Sequence, residues 1–396
     1  MTITVLVTDM DLKVVGDPLT TWTQLDMTLR FNEPSSGVMT IPADPEVVAQ
    51  LDAGTGRRIV IIRDGQVVLA GPLERPMAPY QRTLPGDQGG DDPQPGTLQL
   101  AFVDDLVHLA GRLVYPNPAQ AASAQTASHY TATGVNAEVL MRNLVNLNAG
   151  PGALVDRRVP HLALGTLAGV GSNVSIRARF TGLLAELQSA ALVGGGLGFR
   201  TRQTSDQILF EVYQPRDLTG SARYSWELGN LRSVSVERSA PALTHAIVGG
   251  QGEDAARTIV ERADPAAAAR WWRIEQWVDS RNEDTVAGLQ QSGDEALAEG
   301  GETTQISAVT VDTEDLRFGH DVQLGDRATI AYLPGVEASD IVRQAQIQAT
   351  PGAGEHVTVL IGSQEATADP AWVRLARRIQ RRLARLETGT DVPAGP

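Results

Sequence analysis

The sequence predicts an α+β protein dominated by strands, and three stretches carry that prediction. Residues 318–362 hold three period-two, β-rich runs divided by Gly, Pro, Asp and Ser clusters, the pattern of a meander in a barrel or sandwich. Residues 58–71, RIVIIRDGQVVLAG, place Asp64 and Gly65 between two β-branched runs; this pair supplies the positive φ of a two-residue type I′ hairpin. Between these regions, from about residue 119 to 215, the apolar period changes from two to 3.6. The expected order is an N-terminal β-barrel-like domain (1–118), a mixed α+β domain (119–220) and a second β-barrel-like domain (221–365). A basic helix and tail (366–396) follow.

Within the first region, residues 3–7 and 20–29 read as strands, and the cluster NEPSSG at 32–37 is a turn before a strand at 38–41. Residues 84–96, LPGDQGGDDPQPG, offer nothing apolar to bury and read as a solvated loop. The strand TLQLAFV then sets Leu98, Leu100 and Phe102 on one face. Asp104 reads as the cap of a short helix carrying Leu106, Leu109 and Leu113, which must stop before Pro116 and Pro118.

The middle region carries helices near 137–146 and 182–192, the second capped by Thr181 and ended by Gly194, Gly195 and Gly196. The hairpin GFRTRQ with QILFEVY closes it. From Ser221 the chain is strand-rich again, interrupted by one helix near 283–299.

The last stretch, DPAWVRLARRIQRRLARLE at 369–387, has a capping Asp369 and Pro370 pre-set for the first helical position. Trp372, Ala376, Ile379, Leu383 and Leu386 form one apolar seam, and Arg374, Arg377, Arg378, Arg381, Arg382 and Arg385 fill the remainder. Six Arg face two acids from Trp372 onward, whereas the net charge of the chain is -14. The tail is therefore opposite in sign to the body. This helix is expected to serve assembly, through Trp372, Ile379, Leu383 and the six Arg.

Composition excludes several classes. A charge of -14 is wrong for a sequence-independent nucleic-acid binder, whose affinity comes from neutralised phosphates. With no Cys there is no disulfide framework, thiolate metal site or Cys nucleophile. The 32 Arg against the single Lys13, with abundant Ala and Gly, read as the codon bias of a GC-rich genome. No apolar run approaches 18 residues, and MTITVLVTDM lacks a secretory n-region, so synthesis into a cytoplasm and no membrane span are expected.

Chemical motifs fail in their context. Gly250, Gly252 and Ala255 superficially fit a dinucleotide fingerprint, but β-prone RTIVER follows where a helix is required. The six His never take the i, i+4 spacing of a helical zinc site. The acid pairs Asp91–Asp92 and Asp104–Asp105, and the group Asp312, Glu314 and Asp315, fall in loops, caps and turns. No catalytic residue, cofactor or metal is assigned. Trp271, Trp272 and Trp277 form an aromatic cluster that serves packing, a subunit contact or glycan stacking; in a regular strand Trp271 and Trp277 would share one face.

The segments LGDRATIAYLPG, DIVRQAQI and HVTVLIG, together with DDLVHLAGRLVYPNP, RNLVNLNAGPGALVDRRVP, LGFRTRQTSDQILFEVYQPRDLTG, LGNLRSVSVERSAPALTHAIVGGQGEDAAR and WWRIEQWVDSRNE, occur in the order found in one family. Over nearly its whole length the chain resembles the siphophage tail-tip hub proteins, the Tal-like, ReqiPepy-type minor tail protein family. The resemblance implies a non-enzymatic virion protein that trimerises at the distal end of the tail tube. Its two barrels per subunit would form a pseudo-sixfold ring. Implied partners are the tube or distal tail protein, the tape-measure protein, and tip or fibre proteins, with DNA passing without specific binding. A receptor or cell-wall-carbohydrate binding module and a cell-wall hydrolase are the alternatives carried forward.

Overall fold

The computed structural model describes residues 2–51, 56–74, 80–81, 96–281, 283 and 285–362. Residues 84–95 of the loop expected at 84–96, and the expected helix at 369–387 with all its assembly residues, lie outside the described residues.

The described residues divide into two compact units, one of residues up to Ser233 with Ala308–Gly362, the other Val234–Ser307. In the first, alternation sets every main strand. Leu25, Met27 and Leu29 point inward from Gln24–Arg30, Met39 and Ile41 from Ser36–Pro42, and Leu98, Leu100 and Phe102 from Thr97–Val103, all buried. The same period buries Ala345, Ile347 and Ala349 on Val336–Thr350 and Val357, Val359 and Ile361 on Gly354–Gly362.

Register joins these rows into one surface. Gln24–Arg30 pairs antiparallel with Val336–Thr350, Leu25 opposite Ala349 and Met27 opposite Ile347, so strands some 320 residues apart share a sheet. That sheet has ten strands, ordered Leu231–Ser239, Thr303–Val311, Gly354–Gly362, Val336–Thr350, Gln24–Arg30, Ser36–Pro42, Thr97–Val103 and Tyr80–Gln81. Arg327–Leu333 and Arg223–Ser225 branch from Val336–Thr350. Gly37 is required where the rows converge, because a Cβ there would lie 2.5 Å from the Phe102 ring.

The hairpin at Asp64–Gly65 joins Arg58–Arg63 to Gln66–Pro72, with φ of 48° and 80° at the turn, and Ile3–Thr8 completes a three-stranded sheet. The β-dominated α+β class is thus what the structure shows. Its sheets are open: among the described residues none closes on itself.

Helices Ala137–Asn148 and Leu183–Val193 pack together over a core of Leu140, Leu144, Leu183, Leu187, Phe199 and Phe210. Asn136 caps the first by accepting from the Val139 N–H at 3.3 Å. The second departs from expectation at its start: its N-cap is Gly182, and the buried Thr181 hydroxyl caps nothing. Its end is as read, with Gly194 as C-cap and Gly195 and Gly196 at positive φ.

The short helix Leu106–Ala110 also begins one residue later than expected, after Asp105, and Leu113 lies beyond it, exposed. Asp105, at the N-cap position, makes no capping bond because Arg58 holds its carboxylate, and Asp104 accepts from the Leu106 N–H instead.

In the second unit, His245–Gly249 runs between Ile259–Ala263 and Glu275–Asp279. Helix Val286–Gly300, capped by the Thr285 hydroxyl at the Gly288 N–H, places Leu289 against Leu243, Ala246 and Val248.

Candidate functional site

The first unit holds a cleft of about 980 Å³ whose lining includes Arg63, Asp104, Arg200, Arg202, Arg317 and Asp321. Several of the charges that line it are committed within the unit. Arg200 and Arg202 bind Glu211 at 3.1 and 2.6 Å, and Arg63 binds Glu355 at 2.6 Å and donates to the Phe318 carbonyl at 2.7 Å. His320 and Asp321 pair at 2.8 Å.

Asp104 carries the one carboxyl in the cleft held near neutrality. Burial raises it to about 6 against the lowering effect of its hydrogen bonds. Its oxygens accept from the Ser35 N–H at 2.8 Å and the Leu106 N–H at 3.1 Å, so the group ties the start of one strand to the start of a helix. Asp105 instead meets Arg58 in a buried two-point pair at 2.6 and 2.8 Å, with Gln203 accepting a third bond at 2.7 Å. Asp312 accepts from the Phe318 N–H at 3.0 Å beside Arg63. The described acids that sequence raised as a hydrolytic pair therefore include three whose oxygens brace the fold; Asp91 and Asp92 lie outside the described residues.

These contacts share a form: a buried charge on one strand joined to segments tens or hundreds of residues away. The buried Asp326 is held from 110 residues away by the half-exposed Arg216, which donates to both its oxygens and to the Asp321 carbonyl. Such cross-links resist shear between elements. They offer no nucleophile beside a base.

The other surfaces with functional character are exposed aromatics. Trp226 is half exposed and donates its indole N–H to the Tyr332 carbonyl at 3.3 Å, beside the apolar hairpin tip of Leu333 and Val336. Sequence reading passed over this cluster, although a Trp three residues before Gly229 and an apolar-flanked Pro334–Gly335 turn were visible.

The second unit holds the three tryptophans singled out from sequence, and it corrects their expected strand. Trp271 ends a helix, Pro265–Trp271, started by the Asp264 carboxylate accepting from the Ala267 N–H at 2.9 Å with Pro265 in the first turn. Its indole N–H reaches Glu302 at 3.0 Å. Trp277 lies on the strand, half exposed, covering Gly249 with the Arg257 guanidinium 5.0 Å from its ring centre.

Trp272 caps the helix at φ 65°, ψ -176°, a region almost confined to glycine and costing about 1–3 kcal/mol for other residues. The residue is 81% exposed. Thr244, fully buried, donates its hydroxyl to the Trp272 carbonyl at 3.0 Å and accepts from the Ile274 N–H at 2.9 Å.

Gly250 and Gly252 open no helix; a single 3-10 turn, Asp254–Ala256, leads into Ile259–Ala263. Among the described residues no group of His, Asp or Glu is arranged to hold a metal ion, and no helix is long and apolar enough to cross a membrane.

The architecture is that of phage tail proteins. It superposes on the prophage MuSo2 43 kDa tail protein from Shewanella oneidensis with a TM-score of 0.53 at 10% identity, covering 93% of this chain and 100% of that one. A tail protein from Neisseria meningitidis MC58 gives 0.52 at 16% identity, covering 92% and 98%. Prophage tail protein gp18 from Listeria monocytogenes gives 0.50 at 11%, covering 96% and 99%. Residues 4–363 match the family of siphovirus ReqiPepy6 Gp37-like proteins, and the chain belongs to that family. No curated protein matches it in sequence.

Proposed function

We propose that the protein is a structural component of a siphophage tail. Three copies form the hub ring at the distal end of the tail tube and connect the tube to the tip. The observation that carries this reading is family membership over residues 4–363, and the shared fold of three tail proteins agrees with it.

The physical character of the first unit suits a mechanical role. Strands some 320 residues apart are zipped into one sheet, and charged cross-links such as Arg58–Asp105 and Arg63–Glu355 brace distant segments. In the proposed ring each subunit supplies two strand-rich bodies that act as barrel-like neighbours. Contacts on the order of 2,000 Å² per interface hold subunits of this kind together.

The tube or distal tail protein lies above the ring, tape-measure protein within it, and tip or fibre proteins below. With a charge of -14 per subunit, the ring repels DNA, which passes without specific binding. The C-terminal seam of Trp372, Ile379 and Leu383 with Arg374, Arg377, Arg378, Arg381, Arg382 and Arg385 docks on an acidic neighbour.

Mass spectrometry of purified tails tests the assignment. The chain should remain with tails after dissociation of loosely held fibres; its absence from washed particles would overturn the reading.

A further inference from the structure

Among the described residues one apolar patch of the first unit stays uncovered, and the chain that follows carries an apolar seam. The patch is Trp226, Leu228, Leu333 and Val336, each between 37% and 58% exposed. The seam is Trp372, Ile379, Leu383 and Leu386, read from the sequence of residues 369–387. We propose that the seam docks on the patch of its own subunit. The proposal rests on the reading of this stretch as an amphipathic helix that serves assembly, and it divides the helix faces. The subunit's own patch holds the seam, and the opposite Arg face is left for the acidic neighbour.

Four large apolar side chains are gathered here by the fold. The parallel pairing of Arg223–Ser225 with Arg327–Leu333 sets the turn that follows Ser225 beside the hairpin tip. Trp226 donates its indole N–H to the Tyr332 carbonyl at 3.3 Å, which holds the ring against Leu333 and Val336, and Leu228 follows in the same turn. A contiguous patch calls for an occupant where scattered apolar residues do not.

Topology directs the seam to it. Gly354–Gly362, the last described strand, runs antiparallel to Val336–Thr350 with Ile361 opposite Val342, so its C-terminal end points along that strand toward Val336. Val336 lies six residues beyond Val342, about 20 Å at the rise of a strand. Trp372 lies ten residues beyond Gly362, a tether that spans up to about 33–36 Å. The seam therefore begins within reach of the patch. A tether this short gives roughly millimolar effective concentration, against which a second copy at micromolar concentration competes poorly.

Helix stability and charge agree. A helix of this length is marginal alone in water, and an apolar surface supplies the contact it needs. Glu227 stands between Trp226 and Leu228, and Glu337 follows Val336, both exposed. Arg223 pairs with Glu337, so Glu227 has no ion pair among the described residues. On a helix Arg378 and Arg382 flank the seam, in position for Glu227, whereas Arg374 and Arg381 fall on the opposite side.

The chain has no Cys, so engineered pairs report alone. In the full chain at low micromolar concentration, Leu333→Cys is combined in turn with Ala376→Cys, Ile379→Cys and Leu383→Cys on the seam, and with Arg374→Cys and Arg381→Cys on the opposite face. A disulfide needs Cα atoms within about 7 Å. Under mild oxidation at least one seam pair should close within the subunit roughly tenfold faster than either Arg-face pair. Adding Trp226→Ser with Val336→Asp should cancel that difference.

Seam pairs that close no faster than Arg-face pairs would overturn the proposal. Disulfides that form only between two copies would overturn it too, by assigning the seam to a neighbouring subunit. A difference that survives Trp226→Ser with Val336→Asp would move the docking site off the patch and reject it likewise. All of this is read on the isolated chain, so absence of the chain from washed tails would overturn the tail assignment alone.

Discussion

Removing one partner of the Arg58–Asp105 pair should cost far more than removing both. The two side chains are 2% and 1% exposed, and the guanidinium makes three contacts, at 2.6 and 2.8 Å to Asp105 and 2.7 Å to Gln203. Asp105→Ala removes two of them and leaves a buried cation, for which about 3–5 kcal/mol is expected, two to four decades in the folding constant. Arg58→Met with Asp105→Leu removes both charges in favour of apolar groups. The Gln203 bond and the 3.5 Å His108–Asp105 contact are then lost, and stability should return to within about 1–2 kcal/mol of wild type. Because the chain has two units, one transition cannot be assumed. Hydrogen exchange of strand Arg58–Arg63 under increasing urea reports the first unit directly. A loss below about 1 kcal/mol in Asp105→Ala, or a double variant as unstable as the single one, would refute the reasoning.

Further outcomes follow from the same structure. Asp104, raised by burial to about 6 in the fold against an ordinary 3.8, stabilises the protein below about pH 4, and that contribution is lost as pH rises through 6. The difference in unfolding free energy between wild type and Asp104→Asn should therefore drift against wild type by up to about 3 kcal/mol from pH 4 to pH 7; a difference independent of pH would contradict it. Replacing residues 85–95 with a short Gly-Ser linker should barely move the melting temperature, and loss of soluble protein would show that the segment is packed. Truncation after Asp369 should leave the monomer's thermal transition nearly intact and impair incorporation into tails. The reverse pattern would reject an assembly role for the C-terminal helix.

What was legible in the sequence is what local chemistry dictates. Asp64–Gly65 reads as a hairpin because a turn with two positive φ values admits few residues. The helices at 137–148 and 183–193 read from their period, and the strand faces of Leu98–Phe102 and Val357–Ile361 from alternation. The pairing of residues 24–30 with 344–349 carries no local signal, since it depends on strands brought together from far apart along the chain.

For the same reason Arg58 and Arg63 read as polar ends of an apolar strand, although both are buried. Their partners, Asp105 and Glu355, lie far along the chain. One miss was avoidable. The Asp-Pro start recognised at 369–370 also occurs at Asp264–Pro265, ahead of four alanines, and it makes Trp271 helical where a strand was expected. Asp104 was read as the cap, and its carboxylate does accept from the Leu106 N–H, but the helix starts only after Asp105, whose own carboxylate is held by Arg58 far back in the chain.

The most direct test of the central claim is a reconstruction of the assembled particle at a resolution that traces the main chain. The account predicts three copies of this chain in one ring around the tail axis, at the distal end of the tube. Six copies in one ring, a solitary peripheral subunit, or density that fits the chain nowhere in the tail would contradict it.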